Sequence, residues 1–168
     1  MKKIIFLIFI LFFLVLFQTS FLNFLKVVPN FILLTILIST IFIRKIDNLG
    51  LATAFLGGLL LDIYSSLPFG IVIISTILVY LISTVFIKLF LRIDFLEVFL
   101  IIILGVVAYN ILIFFFSYIY GLIFHFPHLL SFNFNYLIFI EIFANLILGV
   151  ITFYLISWSK KLEKVISH

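Results

Sequence analysis

The sequence predicts an all-α integral membrane protein: a compact bundle of six transmembrane helices with both termini on the cytoplasmic side. Three observations predict it. The 168 residues are 67% hydrophobic and only 10% charged, with a mean hydropathy of +1.55. A soluble domain carries about a quarter charged residues, so the natural solvent for this surface is a bilayer. The apolar residues also lie in unbroken runs such as 4–17 and 95–108, without the apolar–polar alternation of membrane barrel strands. Finally, six alternating crossings gather almost all of the positive charge on one side.

A helix needs roughly 20 residues to cross about 30 Å of hydrocarbon, and about six crossings fit once loops are allowed. The chain reads as one transmembrane domain, 1–168, with helices at about 4–22, 30–43, 49–63, 71–91, 95–121 and 136–158. Lys2 and Lys3 precede the first run, as they would in a signal peptide. Gln18, Thr19, Ser20 and Phe21 match a small-residue cleavage site poorly, so the run is read as an uncleaved helix. Pro29 opens the second run, where its missing N–H is no loss. Arg44, Lys45 and Asp47 close that run. The third ends at a turn carrying Ser65, Ser66, Pro68 and Gly70. Arg92 and Asp94 follow the fourth. A loop with His125, Pro127, His128, Asn133 and Asn135 separates the fifth from the sixth, which ends in Ser159, Lys160 and Lys161. The second and third runs are short, at about 1.5 Å per residue. They are expected to extend into their flanks or to thin the bilayer locally.

With the N-terminus inside, Lys2, Lys3, Arg44, Lys45, Lys88, Arg92, Lys160, Lys161 and Lys164 all lie inside, and only Lys26 lies outside. Five helices would put the basic tail outside, so the bias favours six. Tyr64, Tyr136 and Trp158 suit interfacial anchors. The net charge of +4 is thus a topology signal that also attracts anionic lipid, and no nucleic-acid partner is expected.

Polar and small residues inside the runs form faces. Gly50, Ala54, Gly58 and Asp62 recur every four residues, just over one helical turn, and Gly57 widens that face. Small residues let helix backbones approach in lipid. The face suits internal packing or a partner helix. Glu141, Asn145 and Gly149 repeat the spacing, and Asn110, Ser117 and Gly121 share a face of the fifth run. These faces should point inward, because polar groups facing lipid are costly. Asp62, Asn110, Glu141 and Asn145 all fall in the outer half of the bundle. No Lys or Arg lies deep in a run to pair with the two acids. They are expected at the interface, hydrogen-bonded to Asn, Tyr or backbone N–H, or protonated.

Catalysis is not expected. Two carboxylates invite a general acid–base reading, but no Ser, His or second acid accompanies them at a catalytic spacing. His125 and His128 lack a further ligand pair for a metal. There is no phosphate-binding Gly-rich loop, no cofactor motif, and no cysteine for disulfides or thiol chemistry.

Two stretches carry a resemblance. Val28-Pro29-Asn30-Phe31-Ile32-Leu33-Leu34 is similar to a segment of the MreD family of rod shape-determining proteins, in which Pro and a following Asp or similar polar residue open an apolar helix. Asn30 stands where Asp is commoner. Ala54-Phe55-Leu56-Gly57-Gly58-Leu59-Leu60-Leu61-Asp62, followed by Pro68-Phe69-Gly70, resembles that family's Gly-Leu-Leu-x-Asp helix end and the Phe-Gly turn after it. Gln18-Thr19-Ser20 also fits. The specific part covers about residues 18–70. The resemblance implies a non-catalytic scaffold in the bacterial inner membrane that couples the filament protein MreB and the bitopic MreC to peptidoglycan synthesis. RodA and a penicillin-binding transpeptidase would belong to the same assembly. It implies an MreC contact at the Gly50–Gly58 face or in the outer region around Pro29 and Asp62. The rival reading is the substrate-binding subunit of an energy-coupling-factor vitamin transporter, whose general fold this family is expected to resemble. Against it, the run 4–17 lacks the four-spaced Ala that docks such subunits.

Overall fold

A computed structural model describes residues 2–21, 29–43, 46–88, 95–126 and 137–166. They form six α-helices, and no strand occurs among the described residues. Helix α1 spans Lys2–Leu16 and continues into a π-helical turn, Phe17–Phe21. The others are α2 Phe31–Ile43, α3 Asn48–Tyr64, α4 Ile71–Ile87, α5 Phe95–Phe124 and α6 Leu137–Ile166. Lys26, Arg44, Lys45, Arg92, Asp94, the loop from Pro127 to Asn135, and Tyr136 lie outside the described residues, as do the expected helix ends at 22 and 89–91.

Helix α2 is the axis of the bundle. It packs against all five other helices, and Ile32, Leu33, Leu34, Ile36, Leu37, Ile38 and Ile41 are buried. A helix apolar all round belongs in a core. Helices α3 and α4 form an antiparallel hairpin with the most extensive helix–helix contact among the described residues; α5 packs against α4, and α6 packs against α5 and α2.

The outward surface is far more apolar than that of a soluble protein, and the apolar interior also holds polar side chains. Ser75, Thr76, Ser83, Thr84 and Asn145 are buried, whereas Phe13, Phe55, Val85, Ile111, Phe115 and Phe143 are exposed. Helices α5 and α6 have the length and apolarity to cross a membrane. The other four are apolar but shorter.

Several expected boundaries move. Asn30, not Pro29, sets the start of α2: the Leu33 N–H donates to Asn30 Oδ1 at 2.9 Å, the N-cap geometry. Pro29 sits buried just before the cap. Helix α2 therefore does not extend toward its N-terminal flank. Its 13 residues cover about 20 Å at 1.5 Å each. Helix α5 runs one turn further than expected, to Phe124. His125 then takes a left-handed conformation, φ 58°, and the Phe126 N–H donates to the Gly121 carbonyl at 3.0 Å. That bond closes the helix in the manner usually given to glycine. Helix α6 continues two turns past Trp158, because Lys160, Lys161, Glu163 and Lys164 end an apolar span but favour helix.

Candidate functional site

The glycine face of α3 is an internal packing surface. A Cβ at Gly50 would lie 2.5 Å from Tyr80 Oη, one at Gly58 would collide with Thr76 Oγ1 and lie 3.0 Å from the Ile73 Cα, and one at Gly57 would lie 2.5 Å from Ile32 Cγ2. Gly50 and Gly58 thus admit α4, and Gly57 admits α2. The close approach lets Thr76 Oγ1 donate across the hairpin to the Ala54 carbonyl at 3.0 Å. A partner helix cannot use this face while α4 and α2 occupy it.

Both ends of the hairpin are tied by aspartates. At one end Asp47 caps α3, accepting from the Gly50 N–H at 2.9 Å. The Tyr80 hydroxyl reaches Asp47 Oδ1 at 3.1 Å and accepts from the Asp47 N–H at 3.0 Å. At the other end Asp62 is 3% exposed. Its Oδ2 accepts from the Gly70 N–H and its Oδ1 from the Val72 N–H at 3.2 Å. The carboxylate thus sits at the N-terminus of α4, where backbone N–H groups and the helix dipole favour negative charge. Ser65 closes α3 by donating N–H and Oγ to the Asp62 carbonyl at 3.2 and 3.0 Å. Gly70 holds φ 101°, a conformation glycine adopts readily. Pro68 accepts from the Ile71 N–H at 3.3 Å. Asp62, Pro68 and Gly70 therefore form one corner.

A second polar group surrounds the start of α2. The Asn30 N–H donates to Asn145 Oδ1 on α6 at 2.9 Å, and the Phe31 N–H donates to Gln18 Oε1 on the π-helical turn at 3.1 Å. Three of the N–H groups that a helix N-terminus leaves open are thus satisfied by side chains from three elements. Asn145 Nδ2 donates in turn to the Glu141 carbonyl at 2.9 Å. Asn110 Nδ2 bonds the Val106 carbonyl at 3.0 Å and faces Glu141 Oε2 at 3.4 Å. Tyr109, 7% exposed, meets the Asn30 side chain and lies within electrostatic reach of both Glu141 and Asp62. The expected inward faces are therefore real: Asn145, Gly149, Ser117 and Gly121 are buried, and Glu141 and Asn110 are half-buried.

Pro29, Asn30, Asn110, Glu141 and Asn145 come together around the α2 start, with the corner of Asp62, Pro68 and Gly70 nearby. Gly50 and Ala54 belong to the opposite half of the hairpin. Asp47, expected only to close the second run, and Tyr80 and Tyr109, for which the sequence sets no role, complete these groups. Thr76, Tyr80 and Thr84 recur every four residues on α4, the spacing of the small residues on α3, and that matching period was the available signal. Among the described residues no three His, Asp or Glu side chains gather as metal ligands, and His128 lies outside them. No protein family, curated protein or solved structure matches the chain.

Proposed function

We propose that this chain is a multi-pass scaffold of the MreD type in a bacterial cytoplasmic membrane. All six helices cross, and the protein links MreC, MreB, RodA and a penicillin-binding transpeptidase to rod-shaped growth. The observation that carries this reading is the employment of the polar residues. Asp62, Asn30, Asn145 and Gln18 are each committed to backbone N–H groups at helix ends. Where no water reaches, every such group needs a partner. An architectural role for these side chains fits a scaffold better than an enzyme or a transport subunit, whose polar groups must be left for a ligand. Asp62, which ends the Gly-Leu-Leu-x-Asp stretch, and Gly70 of the Phe-Gly stretch also meet in one corner, which supports treating the resemblance as a structural unit. The apolar side chains turned outward on five of the helices support burial in lipid.

With the glycine face filled, the MreC contact belongs to the outer region near Pro29 and Asp62. The test is depletion in the host, scoring cell shape together with MreC recovery on a tagged copy. Rounded cells and co-purified MreC are expected. Unchanged shape, no MreC and lost vitamin uptake would assign the chain to the transport subunits instead.

A further inference from the structure

Of the two long helices, α6 is the less enclosed: 11% of its membrane-length window is buried, against 33% for α5. Its uncovered side carries Ile140, Ala144, Ile147, Ile151, Tyr154 and Trp158, alternately four and three residues apart. All are exposed except Ala144, which is half-buried. This is the spacing of a helix that packs lengthwise against another. The spacing alone selects no occupant. The outer face of α5, with Ile111 and Phe115, is equally apolar and suits lipid.

Glu141 separates the two faces. In the register of the stripe it stands next to Ile140, in the flanking position from which charged residues pair across a helix–helix seam. Its carboxylate is unspent. Asp62 commits both oxygens to N–H groups. Glu141 Oε2 meets only Asn110 Nδ2, at 3.4 Å, and Asn110 is the one side chain among the described residues that bonds it. The bond from Asn145 goes to the Glu141 backbone carbonyl, which any residue supplies. The carboxylate is therefore not needed to hold α6 on α2. An ionisable group within a membrane is costly without a partner.

The missing partner is a cation, and its source can be narrowed. Six crossings put every basic residue of the chain but Lys26 at the inner ends, and Glu141 in the outer half. Lys26 lies outside the described residues. A second copy packed in parallel along the stripe would bring two Glu141 carboxylates to the same depth, and like charges disfavour that pairing. Lipid tails carry no charge, and lipid amines stay at the surface. Glu141 lies four residues, about 6 Å, below the first residue of α6. A Lys or Arg on a neighbouring helix reaches that level while its stem covers apolar surface.

We propose that the Ile140–Trp158 stripe of α6 docks a transmembrane helix of a partner protein, one with a Lys or Arg in the outer quarter of its span that pairs with Glu141. The inference rests on the membrane-spanning reading above. The test places a photoreactive phenylalanine analogue at Ile140, Ile147 or Ile151 of the full chain in its host membrane, with Ile111 and Phe115 as controls. Adducts are sequenced by mass spectrometry. The stripe positions should crosslink to one transmembrane segment with a basic residue at the level of Glu141, and the controls should give lipid adducts. Glu141→Gln should lower the stripe crosslinks about tenfold, or about 1.4 kcal/mol, the order of an interhelical polar contact in lipid. Lys26→Gln should leave them unchanged. A crosslinked segment without a basic residue there, a second copy of this chain, or lipid adducts alone at the stripe overturns the proposal. The wild-type adducts decide alone if Glu141→Gln does not accumulate. Undiminished crosslinks in Glu141→Gln, or an equal loss in Lys26→Gln, also overturn it. Absence of lipid adducts at Ile111 and Phe115 overturns the membrane-spanning reading itself.

Discussion

Asp62 and Gly70 show how one carboxylate and one missing side chain shape a helix turn. Asp62 accepts two N–H groups of the residues that begin α4. Asp62→Ala leaves both donors without an acceptor, at about 1–3 kcal/mol for each buried group. Asp62→Asn keeps one carbonyl acceptor and should cost less. Thermal unfolding in detergent should therefore rank wild type above Asp62→Asn above Asp62→Ala. An equal loss for both would mean that charge, not acceptor count, holds the corner. Gly70 isolates a different term. A Cβ there meets nothing within 4 Å, so Gly70→Ala carries only the backbone cost of a left-handed conformation, about 1–2 kcal/mol. Gly58→Ala should cost more, because Thr76 Oγ1 and the Ile73 backbone stand in the way. Gly57→Ala should cost less than Gly58→Ala, because only the Ile32 side chain must move. The same unfolding series reads all three, and the order Gly57→Ala above Gly58→Ala is the sensitive point.

Helix α2 explains why a central element is so short. It starts inside the bundle, and Gln18, Asn30 and Asn145 replace the water that would otherwise meet its first N–H groups. Asn145→Leu keeps the branching of the side chain, at somewhat larger volume, and removes the acceptor for the Asn30 N–H. Amide exchange at residues 30–33 should then quicken, while exchange in the α3–α4 hairpin stays as in wild type, since Asn145 touches neither helix through a hydrogen bond. A uniform rise would mean that the contact holds the whole bundle. Much of this architecture was legible in the sequence. The six helices follow from unbroken apolar runs, and the inward faces of α3, α5 and α6 from four-residue spacings, both of which are local. The start of α2 expected at 30 falls on the cap residue itself, but its anchor, the Asn145 acceptor 115 residues away, is invisible to local pattern. The Tyr80–Asp47 tie was missed for the same reason: a tyrosine in an apolar run looks like filler until the partner 33 residues earlier is in place. The ends of α5 and α6 were misplaced because the end of an apolar span and the end of a helix are different physical events.

The whole bundle poses a problem of depth. Helices α5 and α6, 30 residues each, reach about 45 Å, whereas α3 and α4, 17 residues each, reach about 26 Å. If the short helices cross as proposed, a hydrocarbon layer of roughly 30 Å leaves their ends below the surface unless the bilayer thins. Polar ends at that depth would need internal partners, the condition for irregular backbone within a membrane, and Asp47, Asp62, Asn30 and Asn145 supply them. This makes topology testable independently of function. If all six helices cross with the N-terminus inside, reporter fusions at 45, 90 and the C-terminus should report the cytoplasm, and fusions at 25, 66 and 130 the outside. Moving the basic residues should shift this pattern, because orientation follows Lys and Arg near the ends of the spans. Replacing Lys2 and Lys3 by Gln weakens only the first helix's preference. The later inner loops, with Arg44, Lys45, Lys88 and Arg92, should hold the remaining five in place. A pattern in which only fusions flanking α5 and α6 change sides would instead mean a two-span protein. The apolar outer faces of α1, α3 and α4 would then need a protein partner rather than lipid to cover them.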